Sequence, residues 1–230
     1  MSQDPNDPPR GFASPPCLAH EIDPQYFDPL AVDADQARDV ARWRKAERAR
    51  LRDARAALPI DTRQAIAAAM ANHLDAHLAT LTLPDHPIIS GYWPIKSEPD
   101  LRFWLTKLHG MGWRIALPIV EVQKAPLVFR IWTPGMAMER GVWNIPVPPA
   151  SAEQVIPHVA LAPMLGWDKA GYRLGYGGGY FDRTLAALAA HNLHVIGLCV
   201  DAGAIPTIYP QPHDIPMSAV ITEAGLKVAR

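Results

Sequence analysis

Hydrophobic residues recur along this chain with two different spacings. Near the start, apolar positions lie three or four residues apart, as in Ile66, Met70, Leu74 and Leu78, and this spacing predicts amphipathic helices. Farther along, runs of five to eight mostly apolar residues end at Gly, Pro, Asp or other turn-forming residues, and these runs predict strands. The predicted helices cover Asp35–Leu58, Asp61–Leu78, Asp100–His109 and Tyr180–His191, and the predicted strands cover Pro87–Trp93, Trp113–Val120, Leu127–Trp132, His158–Met164, His194–Val200 and Ser218–Thr222.

Local signals mark where some of these elements begin and end. Asp33 or Asp35 can cap the first helix, and Pro59 ends it. The acid and amide of the segment 61–64 resemble a capping box at the start of the second helix. Residues 133–157 are rich in proline and polar breakers, and we predict one long loop there.

Strands that alternate with helices favour the α/β class. In this class a mostly parallel sheet carries helices on both faces, which makes a three-layer α/β/α sandwich. We predict a single domain of this kind over residues 36–230. The composition agrees, because 49% of the residues are apolar and 20% are charged, and 230 residues can bury a substantial core without disulfides or metals.

The first 35 residues differ from the rest of the chain. They hold seven acids, one base and seven of the 24 prolines, which gives them a net charge of −6. The remaining residues carry 21 bases and 16 acids. A proline-rich acidic segment predicts an extended N-terminal tail, and we assign no chemistry to it.

Several classes of protein are not expected from this composition. The longest unbroken apolar run, Ala65–Ala71, is too short to span a membrane, and the acidic start shows no signal peptide. Cys17 and Cys199 form no CxxC pair and no disulfide framework. We therefore expect a reducing compartment, the cytoplasm.

A glycine-rich loop carries the clearest chemical signal. It follows a predicted strand, has glycine at positions 175, 177, 178 and 179, and leads into a predicted helix. Glycines let a ligand approach the backbone N–H groups at a helix N-terminus, which suits phosphate. Neither the Walker pattern nor the GxGxxG spacing is present. A tight β–α turn would explain one or two glycines, but four between Arg173 and Asp182 favour a phosphate site.

This loop resembles the 5-formyltetrahydrofolate cyclo-ligase family, also called 5,10-methenyltetrahydrofolate synthetases. The resemblance covers roughly residues 38–222 and lies mainly in the pattern Arg-Leu-Gly-x-Gly-x-Gly-Tyr-aromatic-Asp at 173–182. Further matching segments are Pro163–Asp168, Gly141–Pro146, Tyr92–Glu98 and His213–Asp214.

The resemblance implies an ATP-driven ring closure of 5-formyltetrahydrofolate to 5,10-methenyltetrahydrofolate, with release of ADP and phosphate. Such chemistry needs alignment and charge stabilisation, so backbone amides, arginines and Mg²⁺ are expected rather than a Ser–His–Asp triad.

ATP and a reduced folate are the expected partners; nucleic acid and membrane are not expected. Arg173 is the predicted catalytic residue. The predicted ATP-binding residues are Arg44, Lys45, Arg48, Arg173, Leu174, Gly175, Tyr176, Gly177, Gly178, Gly179 and Tyr180.

Basic residues crowd the first predicted helix, and Arg44, Arg48, Arg52 and Arg55 share one face. A solvated face is the ordinary interpretation, and nucleic-acid binding is another for which one basic helix is weak evidence. The resemblance places a Lys and, four residues on, an Arg of this helix on the nucleotide phosphates, at positions that fall on Arg44 and Arg48. Arg therefore stands where the family usually has Lys, and Lys45 is one residue away, so both remain candidates.

Four residues are predicted to bind the folate: Trp93, Glu98, Trp143 and Tyr180. A carboxylate at Glu98 suits the N–H donors of a pterin, although without the resemblance a surface Glu that caps a helix beside Pro99 would be preferred. Trp93 can pack the pterin or belong to the core. Trp143 lies in the long loop and could close over the folate.

Asp182 and Asp214 are the predicted Mg²⁺ ligands. Asp182 lies close to the proposed phosphate loop, where a carboxylate would repel the phosphate unless Mg²⁺ stood between them, and the resemblance implies a metal-binding Asp at Asp214. Asp182 falls in the first turn of a predicted helix, where the helix end stabilises an acid even without a metal. Asp214, beside His213, is a weak signal by itself. The alternative for the whole chain is a non-catalytic nucleotide- or RNA-binding protein that kept the fold.

Overall fold

The computed structural model describes residues 34–230 of the protein. Two long helices come first, α1 at Ala34–Ala56 and α2 at Ile60–Leu78, followed later by α3 at Arg102–Gly110 and α4 at Tyr180–Ala187. Short 3₁₀ turns lie at Val142–Asn144, Ala189–His191 and Asp201–Gly203. The strands are β1 Ile88–Ser90, β2 Arg114–Ile119, β3 Val128–Trp132, β4 Glu139–Arg140, β5 Pro146–Val147, β6 Gln154–Val155, β7 Val159–Pro163, β8 Gly166–Trp167, β9 Arg173–Leu174, β10 His194–Leu198, β11 Ala219–Thr222 and β12 Gly225–Ala229.

Eight of these strands form the main sheet, in the order β12-β11-β10-β7-β1-β2-β3-β6. The five central strands, from β11 to β2, run parallel. The outer strands β12, β3 and β6 pair antiparallel with their neighbours. The predicted mostly parallel α/β sheet is therefore confirmed.

Helices cover both faces of this sheet. The apolar side chains of α2 and α3 form one buried cluster with residues such as Leu161 of β7 and Ile196 of β10. Leu185 of α4 packs in a second cluster with Ala162 and Val195, the alternate positions on the same two strands. Because successive strand residues point to opposite faces, the two clusters lie on opposite sides of the sheet, and the fold has three layers.

Helix α1 occupies a different place. Its Leu51 packs in a third cluster with Leu165 and Ile205, which follow the carboxyl ends of β7 and β10. The basic residues of α1 are thereby held at the carboxyl edge of the parallel strands. Ligands of open α/β sheets bind at this edge.

Several local predictions were wrong. The segment 133–157 is not one long loop, since it contains the short strands β4, β5 and β6 and a 3₁₀ turn. The capping box is absent, because Pro59 is the N-cap of α2 and makes no side-chain cap. The C-terminal strand β12 was missed because its residues are mostly exposed, as befits an edge strand.

The predicted tail lies almost wholly outside the described residues. Its last two positions, residues 34 and 35, belong to the first turn of α1 rather than to an extended segment. Asp33, one of the two proposed caps, is outside the described part of the chain. Within residues 34–230, no helix is both long enough and apolar enough to cross a bilayer.

Candidate active site

Three loops meet α1 at the carboxyl edge of the parallel strands. One follows β1 and carries Glu98, the second leads from β9 through the glycine turn to α4, and the third follows β10 and reaches Asp214. We call residues 175–179 the glycine turn. The sequence order separates these loops widely, and the parallel sheet brings them to one edge.

The glycine turn has the backbone geometry of an anion cradle. Gly177 has a φ of 96° and Gly179 a φ of 64°, conformations that residues with a side chain rarely adopt. A methyl group on Gly177 would also lie 3.4 Å from the guanidinium carbon of Arg48. Among the described residues, no acceptor takes a hydrogen bond from the backbone N–H groups of 175–179. These donors are thus available to a bound anion.

Arg173 is buried just before this turn. It forms an ion pair with Asp182 at 2.7 Å, and its guanidinium lies 5.4 Å from the Phe181 ring centroid. Burial lowers the pKa of Arg173, and the neighbouring Asp182 opposes that shift. One of its terminal nitrogens has no hydrogen-bond partner in the described chain. A buried donor left unsatisfied costs about 1–3 kcal/mol, a cost that an anionic ligand would remove.

Two arginines of α1, Arg44 and Arg48, reach this region. The Nε of Arg48 donates to the Gly175 carbonyl at 2.8 Å. Arg44 is buried and donates to the carbonyls of Ile208 and Tyr209 at 2.9 and 2.8 Å. Lys45 is exposed. Of the two candidates for the position where the family usually has a phosphate-binding Lys, the geometry therefore favours Arg44.

The two predicted metal ligands are brought close together. An oxygen of Asp182 accepts a hydrogen bond from the backbone N–H of Ile215 at 3.5 Å, one residue beyond Asp214. Asp214 is itself ion-paired with Arg44 at 2.5 Å and accepts from the Gln211 N–H at 2.6 Å.

These two carboxylates suit Mg²⁺, which usually takes one or two carboxylates together with phosphate oxygens and water. The described residues contain no group of three or more acidic, His or Cys side chains that could enclose a metal by themselves. The two carboxylates therefore suit a Mg²⁺ ion that takes its other ligands from a bound phosphate and from water.

Glu98 is a buried carboxylate rather than a surface helix cap. Its side chain accepts a hydrogen bond from the Ile95 N–H at 2.9 Å. Burial raises the pKa of Glu98, while the Ile95 hydrogen bond and the charge of Arg55 oppose that shift. Tyr176 of the glycine turn also interacts with Glu98, and burial raises the pKa of Tyr176 to about 12.

Arg55 is a site residue that the sequence did not single out. It is buried and donates to the Tyr176 hydroxyl, to the Met164 carbonyl at 3.2 Å and to Ser97 Oγ at 3.3 Å. It thus ties the glycine turn to the loop that carries Glu98. The sequence did show that Arg55 shares a helical face with Arg44 and Arg48. That pattern could not identify Arg55 as a site residue, because Arg52 lies on the same face and is exposed.

A cavity of about 820 Å³ opens beside Glu98. We call it the large cavity; its lining includes Trp93, Glu98, Phe103 and Trp132. A pocket of this size and mixed lining suits an aromatic small molecule with a few polar groups.

Trp143 lies outside that lining and is 66% exposed. Its ring meets the ring of Tyr180 edge-to-face, with centroids 5.6 Å apart. The predicted folate residues therefore fall into two pairs, Trp93 with Glu98 in the large cavity and Trp143 with Tyr180 at the end of the glycine turn.

Comparisons with known proteins agree on one family. The model of the 5-formyltetrahydrofolate cyclo-ligase family matches residues 40–223. A 5-formyltetrahydrofolate cyclo-ligase of Mycolicibacterium smegmatis is 36% identical over 141 residues, which are 58% of this chain and 72% of that relative. The Escherichia coli K12 protein of the same name is 28% identical over 130 residues, or 54% and 71% of the two chains.

Solved structures show the same fold. The 5,10-methenyltetrahydrofolate synthetase of Mycoplasma pneumoniae aligns with a TM-score of 0.63 at 22% identity, over 78% of this chain and 98% of that one. The synthetase of Aquifex aeolicus aligns with a TM-score of 0.65 at 22% identity, over 81% and 93% of the two chains.

Proposed function

Because the chain belongs to the 5-formyltetrahydrofolate cyclo-ligase family, we propose that it converts 5-formyltetrahydrofolate and ATP into 5,10-methenyltetrahydrofolate, ADP and phosphate. The formyl oxygen attacks the γ-phosphorus of ATP, and ADP leaves. N10 of the folate then attacks the activated formyl carbon and loses its proton. The C–O bond breaks, phosphate leaves with the oxygen, and the methenyl bridge is complete.

The observation that carries this proposal is the unsatisfied nitrogen of buried Arg173 beside a turn of free backbone N–H groups. Together with Arg48, these donors offer a pre-formed place for a phosphate chain. Arg173 is the proposed catalytic residue, because a guanidinium held there stabilises the negative charge on the phosphoryl group during its transfer. Leu174, Tyr176 and Tyr180 flank the cradle, and Arg44 supports it from α1.

The reduced folate is proposed to bind in the large cavity. The carboxylate of Glu98 would accept hydrogen bonds from pterin N–H groups, and Trp93 would pack against a ring. Trp143 and Tyr180 would close the side of the substrate that faces the glycine turn. The link from Tyr176 through Arg55 to Glu98 holds the two binding regions in a fixed relation, as two-substrate chemistry requires.

Asp182 and Asp214 are the residues that would hold Mg²⁺. When bound with ATP, the metal supplies positive charge that offsets the charge on the transferring phosphate. In the structure the same carboxylates pair with Arg173 and Arg44. They therefore keep the two arginines oriented toward the phosphate region.

Purified protein would be mixed with 5-formyltetrahydrofolate and Mg²⁺, and near-ultraviolet absorbance of the methenyl product followed before and after addition of ATP. We expect product only with ATP, with one ADP per methenyl group. Arg173→Gln should abolish turnover, whereas Arg114→Gln, which removes an exposed ion pair with Glu153, should retain it. ATP binding without product would instead support the non-catalytic alternative.

A further inference from the structure

Tyr176 is the only residue of the glycine turn that carries a side chain. Its hydroxyl accepts a hydrogen bond from Arg55 of α1 and lies within hydrogen-bonding reach of the Glu98 carboxylate, to which it can donate. Burial raises the pKa of Tyr176 to about 12, so the hydroxyl keeps the proton that it donates. The turn proposed to hold phosphate thus contacts the acid proposed to hold the pterin.

Arg55 fixes the other side of this hydroxyl. Its remaining donors bind the Met164 carbonyl at 3.2 Å and the Oγ of Ser97, the residue before Glu98, at 3.3 Å. Among residues 34–230, no carboxylate pairs directly with Arg55, yet its charge opposes the effect of burial on the pKa of Glu98. Arg55 and Glu98 therefore form a buried charge pair that is bridged by a neutral hydroxyl.

The other polar groups around Glu98 come from its own loop or from the rim of the large cavity. Lys96 opposes the effect of burial on Glu98, and the neighbouring Tyr92 hydroxyl already donates to the Pro99 carbonyl at 2.6 Å. The charged residues that share the cavity lining are Arg63, Lys96, Asp100 and Arg102, of which Asp100 and Arg102 pair with each other. Within the described chain, the side chains that act on Glu98 from other elements are thus those of Arg55 and Tyr176.

We propose that Arg55 and Tyr176 are positioning residues that keep the Glu98 carboxylate ionised and in one orientation for the folate. This inference rests on the proposed function for the identity of the ligand. A buried carboxylate without such partners tends to take up a proton, and the neutral acid presents an O–H group where pterin N–H donors need an acceptor. Tyr176 thereby serves both regions, because its backbone belongs to the phosphate cradle and its hydroxyl to Glu98.

The ionisation of Glu98 can be measured without any substrate, by carboxyl ¹³C NMR of protein labelled at glutamate. The chain has seven glutamates, and the signal of Glu98 is the one that Glu98→Gln removes. We expect Tyr176→Phe to move the midpoint of the Glu98 titration upward by about one pH unit, as for the loss of one hydrogen bond to a charged group.

Tyr172→Phe is the matched control for this titration. The Tyr172 ring packs against the same apolar cluster as the ring of Tyr176, and its hydroxyl makes no hydrogen bond with the described residues. The control should keep the wild-type midpoint. An unchanged midpoint in Tyr176→Phe, or an equal change in the control, would overturn the proposal.

Separate titrations of 5-formyltetrahydrofolate and ATP measure the consequence for binding. We expect Tyr176→Phe to raise the Kd of the folate about fivefold at about pH 7.5 and by more at about pH 6, and to leave the Kd of ATP within about twofold. A merely structural role would weaken both ligands at every pH, so equal losses for folate and ATP would contradict the proposal.

Arg55→Lys tests the second positioning residue, because lysine keeps the positive charge but not the three directed contacts. It should weaken folate binding about as much as Tyr176→Phe, with a smaller change in the Glu98 midpoint. Wild-type folate affinity in Arg55→Lys would remove Arg55 from this role. A Glu98 midpoint that shifts as expected in a protein without turnover would overturn only the proposed function.

Discussion

Glu98 is a buried acid in the lining of the large cavity, where a charged acceptor is the group that pterin N–H donors need. We expect Glu98→Gln to weaken binding of 5-formyltetrahydrofolate by about 10- to 100-fold, the range for hydrogen bonds to a charged group. ATP affinity should change little. Separate titrations of the two ligands measure this, with the exposed Glu153→Gln as control. Unchanged folate affinity in Glu98→Gln would remove the acid from the substrate site.

The same residue makes a prediction about stability and pH. Burial raises the pKa of Glu98, so the folded protein holds this proton more tightly than the unfolded chain does. Above the raised pKa both states are ionised, and the buried charge destabilises the fold in full. As the pH falls through that pKa the folded state protonates first, and the destabilisation fades.

Glu98→Gln should therefore increase the free energy of unfolding at about pH 7.5, and the gain should shrink as the pH approaches the ordinary value of 4.5. Urea unfolding of both proteins across this range gives the difference directly. A gain that grew toward acidic pH would contradict the assigned direction.

Asp182 and Asp214 are both proposed Mg²⁺ ligands, yet their removal should differ in effect. Asp214 and its partner Arg44 are both buried, so Asp214→Asn leaves a guanidinium without its counter-charge and should cost about 3–5 kcal/mol of stability. The side chain of Asp182 is more exposed, at 17%. Asp182→Asn should cost less stability but lower turnover on the order of 100-fold, because the metal offsets charge on the transferring phosphate.

Urea unfolding and turnover at several Mg²⁺ concentrations separate these two effects. Asp85→Asn, at an exposed position away from the site, is the control. Wild-type rates and wild-type Mg²⁺ dependence in both variants would show that neither acid holds the metal.

The shape of the glycine turn depends on the positive φ angles of Gly177 and Gly179. Gly177→Ala should cost about 1–2 kcal/mol of stability, because alanine is strained at a φ of 96° and its methyl group would meet the guanidinium of Arg48. The KM for ATP should rise about tenfold, which corresponds to about 1.4 kcal/mol. Gly110→Ala is the matched control, since it lies at the end of α3 with no atom within 4 Å and should be neutral or slightly stabilising. Equal effects of the two substitutions would mean that the turn tolerates a side chain.

At the scale of the whole molecule, the contribution of residues 1–33 to turnover can be tested. The family match begins at residue 40, and α1 begins at Ala34. We expect a protein that lacks residues 1–33 to keep its turnover within about twofold, because the described core and site lie beyond that segment. Circular dichroism first checks that the full and shortened chains are equally folded. Steady-state assays of both proteins then measure the effect on turnover. Loss of turnover in a folded shortened protein would show that the segment completes the site.

The sequence by itself determined the class of the fold and the position of the glycine turn. Helical spacing over 60–78 and compact apolar runs such as 194–200 follow from local backbone geometry, which each stretch of chain expresses without help from distant residues. The glycine turn could be recognised in the same way, because positive φ angles need glycine whatever surrounds them. Glu98 could be named only through the family resemblance, since its local setting equally suited a surface cap.

Tertiary structure alone decided which of several similar side chains enter the site. Arg52 and Arg55 follow the same helical face, but only Arg55 meets Tyr176, 121 positions away. Arg44 pairs with Asp214 across 170 positions, while Lys45, one residue along, faces solvent. The alternation of apolar and polar residues reports only which side of an element is buried. Partners far along the chain are set by how the sheet orders its strands, and that order brings the carboxyl ends of β1, β7 and β10 to one edge.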